Sequence, residues 1–305
     1  MRNSVLVLLI GCLMSCAASA ADKPFEIKAG EAIPASVIVT NHIGPFKQDL
    51  PVVVPMVVLN FQTEVTEKGG GLGLLGSGAL VYRLDGVSPA LMQKIADQAQ
   101  VEIEAAFTAA GWQVLPVEKI ADLDAYKSWI KTPDTSVDEV KRSFFSAGKA
   151  TNTFSSKEME RVFVGDARPL IGNGTVLGGW TGGIALCKIG HAAGAKVVLF
   201  RALVNFASIT AGEKNVFTGH QRFQAESSAV EIGYAEMQAY PPDASGATPA
   251  RLNTDRVLIA PKSFIKDVQK SKSTHTIVAD PERYEKDTLD AIRSVATGFV
   301  ALSRK

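Results

Sequence analysis

An α/β fold is the architecture this sequence predicts: a mixed β-sheet flanked by helices, with a glycine-rich β-hairpin and a helical insertion. Three observations carry the expectation. Val52 to Val58 is apolar on successive residues, the pattern of a strand covered on both faces. Lys196 to Thr210 repeats it, with Val198, Phe200, Ala202, Val204 and Phe206 on one uninterrupted side and Arg201 and Asn205 on the other. Between these two strands, Ser88 to Gly111 spaces Leu91, Ile95, Ala99, Ile103 and Phe107 along a single helical stripe.

The first 20 residues read as a secretory signal peptide. Arg2 supplies the positive charge, Val5 to Met14 the apolar core, and Ala18-Ser19-Ala20 the small residues that favour cleavage. Residues 21–305 then form a single α/β domain. Leu13-Met14-Ser15-Cys16 also resembles the lipobox of bacterial lipoproteins, which makes Cys16 a candidate for acylation. Export to the periplasm is expected, or, if Cys16 is lipidated, attachment to the envelope by its acyl chains. After cleavage at Ala20 only Cys187 remains, so no internal disulfide is available and the core must carry stability.

Pro34 to Thr40 is a short β-branched strand, followed by a connection from Ile43 to Pro51. In the long strand from Val52 to Val65, Pro55 cannot donate to a ladder, so regular pairing should begin after it or on one side only. The second half alternates Leu59, Phe61, Thr63 and Val65 with Asn60, Gln62 and Glu64, which predicts a strand leaving a covered core for solvent. Gly78 to Asp85 should return beside it as a hairpin, with Gly71, Leu72, Gly73, Leu74, Leu75 and Gly76 at its tip. The next helix has Ser88 as its cap, Pro89 in its first turn and Gly111 at its end. Trp112 to Val117 is a strand, and a short helix with Ile120, Leu123, Tyr126 and Trp129 follows.

Thr132 to Asp166 is more polar and carries two capping-box patterns, Ser136 with Glu139 and Ser155 with Glu158, which predict a helical insertion over 132–166. A second glycine cluster spans Leu170 to Gly183. In Ser228 to Tyr240 the apolar side changes from Val230, Ile232 and Tyr234 to Ala235, Met237 and Ala239, which predicts a bulge near Gly233 to Ala235. Val257 to Ala260 is a short strand. Asp280-Pro281 opens a last helix with Leu289, Ile292, Ala296 and Phe299 on its stripe.

Composition narrows the function. With 32 basic and 31 acidic residues, the chain has no cationic excess to neutralise phosphates, so nucleic acid is not an expected partner. Contact with a membrane is expected only through a lipidated Cys16 or through the glycine–leucine loop. Gly71, Gly73 and Gly76 match the GxGxxG spacing of dinucleotide sites, but that motif needs a helix directly after it, and here a strand follows. Ser77 lacks the flanking glycines of a nucleophile elbow, because Leu75 and Ala79 stand in their places. Cys187 and His191 are two potential ligands and not a zinc site, so a buried thiol is the reading there. The four histidines are scattered. No catalytic, metal-binding or cofactor-binding residue is assigned, and no cofactor is expected.

Val52–Phe61, Ser88–Gly111, Trp112–Trp129 and the run from His191 through Gly194-Ala195 to Phe200 follow one another in an order that resembles the curli-secretion-channel lipoprotein family and the related amino-terminal domain of TolB. The resemblance covers about two-thirds of the mature chain. It implies a periplasmic α/β domain that works through protein contacts in envelope assembly or secretion, with an envelope protein or a second copy as partner. The loop Gly71–Gly76 would then be a contact surface. A secreted or periplasmic hydrolase with a site built from scattered residues is an alternative, and so is a small-ligand binding module.

Overall fold

A computed structural model describes residues 23–68, 79–130, 149–155, 178–206, 209–214, 221–225, 229–242, 249–271 and 273–304. In chain order its elements are β1 (Phe25–Glu26), β2 (Ile38–Asn41), α1 (Gly44–Lys47), β3 (Val52–Lys68), β4 (Ala79–Asp85), α2 (Pro89–Ala109) and β5 (Val114–Leu115). They continue with α3 (Glu118–Ala121), α4 (Asp124–Ile130), β6 (Lys149–Ser155), α5 (Gly178–Ala193), β7 (Lys196–Asn205), β8 (Ile209–Lys214) and β9 (Gln221–Ala225). The last are β10 (Ala229–Tyr240), β11 (Ala250–Thr254), β12 (Leu258–Ser263), β13 (Ile265–Lys270), β14 (Thr274–Ala279) and α6 (Pro281–Ser303).

The α/β class is as expected. One mixed sheet has the order β1-β12-β10-β7-β3-β4-β14-β13, with β11 and β2 branching from β10 and with β5 and β6 beside β3; β8 and β9 make a separate ladder. The central pair β3–β7 is parallel, from Val52 opposite Lys196 to Phe61 opposite Val204. Its register shifts between Val53 and Met56, where Pro55 has no N–H to give. The expected hairpin is present as well, with Glu64 opposite Arg83 and Lys68 opposite Ala79.

Both faces of the sheet are covered, but differently. One face carries Val57, Leu59 and Phe61 of β3, Val198, Phe200, Ala202 and Val204 of β7, and Ile232, Ala235 and Met237 of β10 in one apolar core with α2 and α6. Each of the larger side chains contributes roughly 1.5–3 kcal/mol on burial, so this layer carries much of the fold. The two helices begin alike. The Ser88 hydroxyl accepts from Leu91 N–H at 3.2 Å, and the Asp280 carboxylate accepts from Arg283 N–H at 3.2 Å, each with proline next. They run parallel: Lys94 meets Glu285 at 2.7 Å, Glu102 meets Arg293 at 2.6 Å, and Arg304 donates to the Gly111 carbonyl at 2.8 Å.

Among the described residues, the second face has its apolar cluster at the amino-terminal ends of β3 and β7. There Val53, Met56, Val58, Val197, Leu199 and Tyr240 pack against Leu186, Cys187 and Ile189 of α5 and against Ile120, Tyr126 and Trp129. Gly194 takes φ +62° and Ala195 N–H donates to the Gly190 carbonyl at 3.0 Å, which ends α5 and turns the chain into β7. Lys196, at the start of β7, is buried. Its ammonium donates to the carbonyls of Phe46, at 2.9 Å, and Gln48, at 2.5 Å, and stands 3.5 Å from the centroid of the Trp112 ring. Burial pushes it down to about 8 from its ordinary 10.5, against the pull of Asp49 and with a push from Arg304.

Two expectations change. Asn60, Gln62 and Glu64 do not emerge into solvent, because β6 pairs along β3 there and all three are buried. Within the stretch expected to be a helical insertion, Lys149–Ser155 is a strand antiparallel to β3; residues 132–148 and 156–166 lie outside the described residues. At the far edge of the sheet, β13 pairs with β14 as a hairpin whose second strand runs parallel to β4, and Lys266 to Lys270 of β13 are exposed. The bulge in β10 falls where the alternation breaks, at the register shift between Ile232 and Tyr234. Among the described residues no helix is long and apolar enough to cross a membrane.

Candidate functional site

Beyond the helices, the second face turns polar. Because side chains alternate along a strand, burying Val198, Phe200 and Ala202 on the first face commits Arg201 and Asn205 to the second. In β10 the bulge at Gly233 resets the alternation, so Tyr234, Glu236, Gln238 and Tyr240 share that face while Ala235, Met237 and Ala239 join the core. The registers align these residues in rows. Met56, Leu199, Gln238 and Arg251 lie across β3, β7, β10 and β11; Val58, Arg201, Glu236 and Asn253 make the next row; Asn60, Leu203 and Tyr234 follow. On β3 and β7 the apolar Met56 and Leu199 thus give way, two residues on, to a row that holds the Arg201–Glu236 charges.

The charged row centres on an ion pair taken out of water. Arg201 donates through Nε to Glu236 Oε2 at 2.6 Å, and its terminal nitrogen lies 2.5 Å from the same oxygen. The guanidinium carbon is 5.1 Å from the Tyr234 ring centroid, and the Tyr234 hydroxyl accepts from Arg201 at 3.4 Å. Tyr234 and Tyr240 both have their phenols held above the ordinary value, chiefly by burial, with Glu236 adding to the effect and Arg201 opposing it. Both hydroxyls therefore stay neutral at neutral pH and act as hydrogen-bonding groups.

In the neighbouring row, the Tyr240 hydroxyl donates to Gln238 Oε1 at 2.7 Å. Gln238 is 3% exposed, and its Nε2 has no hydrogen-bond partner. A cleft with about 250 Å³ of empty space, open solvent included, lies between the two rows; Met56, Val58, Leu199, Arg201, Glu236 and Gln238 line it. Its enclosed part is about 10 Å³, room for about one water. Its floor is apolar and its rim holds a fixed ion pair and a free amide donor.

The residues singled out from sequence are not brought together here. Cys16 and the loop Gly71, Leu72, Gly73, Leu74, Leu75 and Gly76 lie outside the described residues. Cys187 is a buried cysteine on α5 outside any disulfide, while His191 is exposed near the end of the same helix. Among the described residues no group of three His, Cys, Asp or Glu side chains gathers as for a metal ion. Arg201 was legible as facing away from the apolar side of its strand. Glu236 and Gln238 were missed, although polar residues alternating with Ala235, Met237 and Ala239 in a buried strand are the signal that finds them.

The fold and this face define an α/β protein with a mixed sheet and a polar, paired-charge surface beside a small cleft. The chain matches no protein-family model, no curated protein and no solved structure.

Proposed function

We propose that this chain is an exported cell-envelope protein that works through protein contacts, in envelope assembly or secretion. The signal-peptide pattern of Arg2, Val5–Met14 and Ala18-Ser19-Ala20 supports export. The observation that carries the contact reading is the polar half of the second face, where half-buried Tyr234, Arg251 and Asn253 surround the buried Arg201–Glu236 pair on three adjacent strands. Its rows cross β3 at Val58 and Asn60 and β7 at Arg201 and Leu203, within the body of the parallel pair. The loop Gly71–Gly76 extends this reading as a second contact surface or a lipid-proximal tip.

The intact mass of the mature protein tests export and anchoring together: a chain starting at Ala21 is soluble in the periplasm, an acylated Cys16 is anchored, and an uncleaved chain in the cytoplasm sinks the reading. For contacts, a photo-crosslinking residue at position 234 is compared with one at Val101, 64% exposed on the outer side of α2. A discrete adduct at 234 and none at 101 is expected in cells. Equal labelling at both positions, or none at 234, counts against the proposal.

A further inference from the structure

We infer that the open edge of β13 docks an extended, acidic segment of a partner protein, which joins the sheet as one more strand. β13 ends the sheet order, and among the described residues β14 is its only strand neighbour. Five of its six residues, Lys266 to Lys270, are exposed. Val268, 39% exposed, is one of three large apolar side chains left in solvent among the described residues. The ladder identifies which backbone groups are open. Gln269 lies opposite Thr276 and Lys270 opposite His275, and the turn closes with Ser271 N–H donating to the Thr274 carbonyl at 2.8 Å. Hydrogen-bonded pairs alternate along an antiparallel ladder. Asp267 and Gln269 therefore turn their backbone groups to β14, while those of Val268 and Lys270 face away from it. An exposed row of this kind is a template for another strand.

Charge decides what that strand is. If two copies paired symmetrically and antiparallel about Val268, Lys266 of each would stand opposite Lys270 of the other. Like charges opposed across strands destabilise the pairing, so the edge rejects its own copy. The same two ammoniums favour carboxylates on an incoming strand, and Val268 between them favours an apolar side chain. The fitting segment thus carries acidic, apolar and acidic residues at alternate positions. Asp267 competes with it. Its carboxylate accepts from Val268 N–H at 2.8 Å, the donor that an incoming carbonyl needs, and its charge opposes an acidic partner. This edge is separate from the polar second face, so the crosslink at position 234 and the test below succeed or fail independently.

The test is a titration of the full mature protein with capped peptides of about seven residues, the length of an ordinary strand, followed by backbone ¹H–¹⁵N spectra. The probe alternates threonine with glutamate, valine and glutamate. One control has lysine in place of glutamate, and the other is the glutamate peptide N-methylated at its three central residues. Saturable shifts of the Val268 and Lys270 amides with the glutamate peptide are expected, with binding at least tenfold weaker for both controls. Charge reversal by Lys266→Glu with Lys270→Glu, at two exposed positions, should make the lysine peptide the tighter binder. Asp267→Ala should tighten the glutamate peptide threefold or more. Equal binding of the glutamate and lysine peptides overturns the inference, as do Val268 and Lys270 resonances that no peptide moves. An N-methylated peptide that binds as tightly as its parent also overturns it, because charge then acts without strand pairing. A concentration-dependent dimer with its Lys270 amides protected from exchange, formed without peptide, overturns it in favour of a second copy.

Discussion

Removing either partner of the Arg201–Glu236 pair should destabilise the protein far more than removing both. Contacts of 2.5 and 2.6 Å between side chains that are 10% and 3% exposed place two unit charges in direct contact out of water. At an effective dielectric constant near 20, charges this close attract by roughly 4–6 kcal/mol, which offsets the several kcal/mol each ion loses on leaving solvent. Arg201→Met leaves the Glu236 carboxylate buried with its desolvation cost uncompensated, and Glu236→Met does the same to the guanidinium. Each single variant should lose about 3–5 kcal/mol, whereas the double Met variant should lie within about 2 kcal/mol of the parent. Urea denaturation of the four proteins closes a double-mutant cycle, and the coupling it yields should survive raised salt, because screening acts weakly on buried pairs. Single variants that each cost under about 1 kcal/mol, or a double variant that costs their sum, would show that the pair is solvated and the argument wrong.

Lys196 should make stability rise in alkali. Its folded-state value, about 8, lies below the ordinary 10.5, so between those pH values the unfolded chain binds more protons than the folded one. Stability is then constant below about pH 8 and climbs towards pH 10.5. The difference is worth about 3 kcal/mol at most, and the Trp112 face, worth about 2 kcal/mol to a desolvated cation, reduces it, leaving a rise of roughly 1–3 kcal/mol. Urea midpoints measured from pH 7 to 10.5 should show this rise in the parent and lose it in Lys196→Met. Gly298→Ala, in α6, should destabilise by about 1–3 kcal/mol despite alanine's better helix propensity. Its Cβ would stand 2.4 Å from Ile33 Cγ1 and 2.7 Å from the Ile33 carbonyl oxygen, so a melting temperature at or above the parent's would contradict the packing. Asp280→Ala removes the cap of α6 and should cost about 1 kcal/mol by urea denaturation; an unchanged midpoint would mean the cap contributes nothing.

Local chemistry made part of this molecule readable in advance. Ser88-Pro89 and Asp280-Pro281 mark helix starts because a capping oxygen and a proline suit the first turn whatever lies around them. The apolar stripe from Leu91 to Phe107 and the uninterrupted side from Val198 to Phe206 name the faces that must be buried. Gly233, between two alternations out of phase, locates the bulge. The GxGxxG spacing is set aside by the strand that follows it, again a local argument.

Asn60, Gln62 and Glu64 show where that kind of reading stops. Their alternation with Leu59 and Phe61 identifies a second face, but whether that face meets water depends on a strand, Lys149–Ser155, that arrives from 84 or more residues further along the chain. The site has the same origin. Arg201 and Glu236 are 35 residues apart and Gln238 is drawn from the same later strand; the β7–β10 register alone makes them neighbours. By itself the sequence determined the elements, their caps and which side of each is apolar, since these follow from spacing along one strand or helix. Only the tertiary structure decided which polar sides are buried together, because ion pairs, orphaned amides and clefts are made between strands whose partners no local pattern encodes.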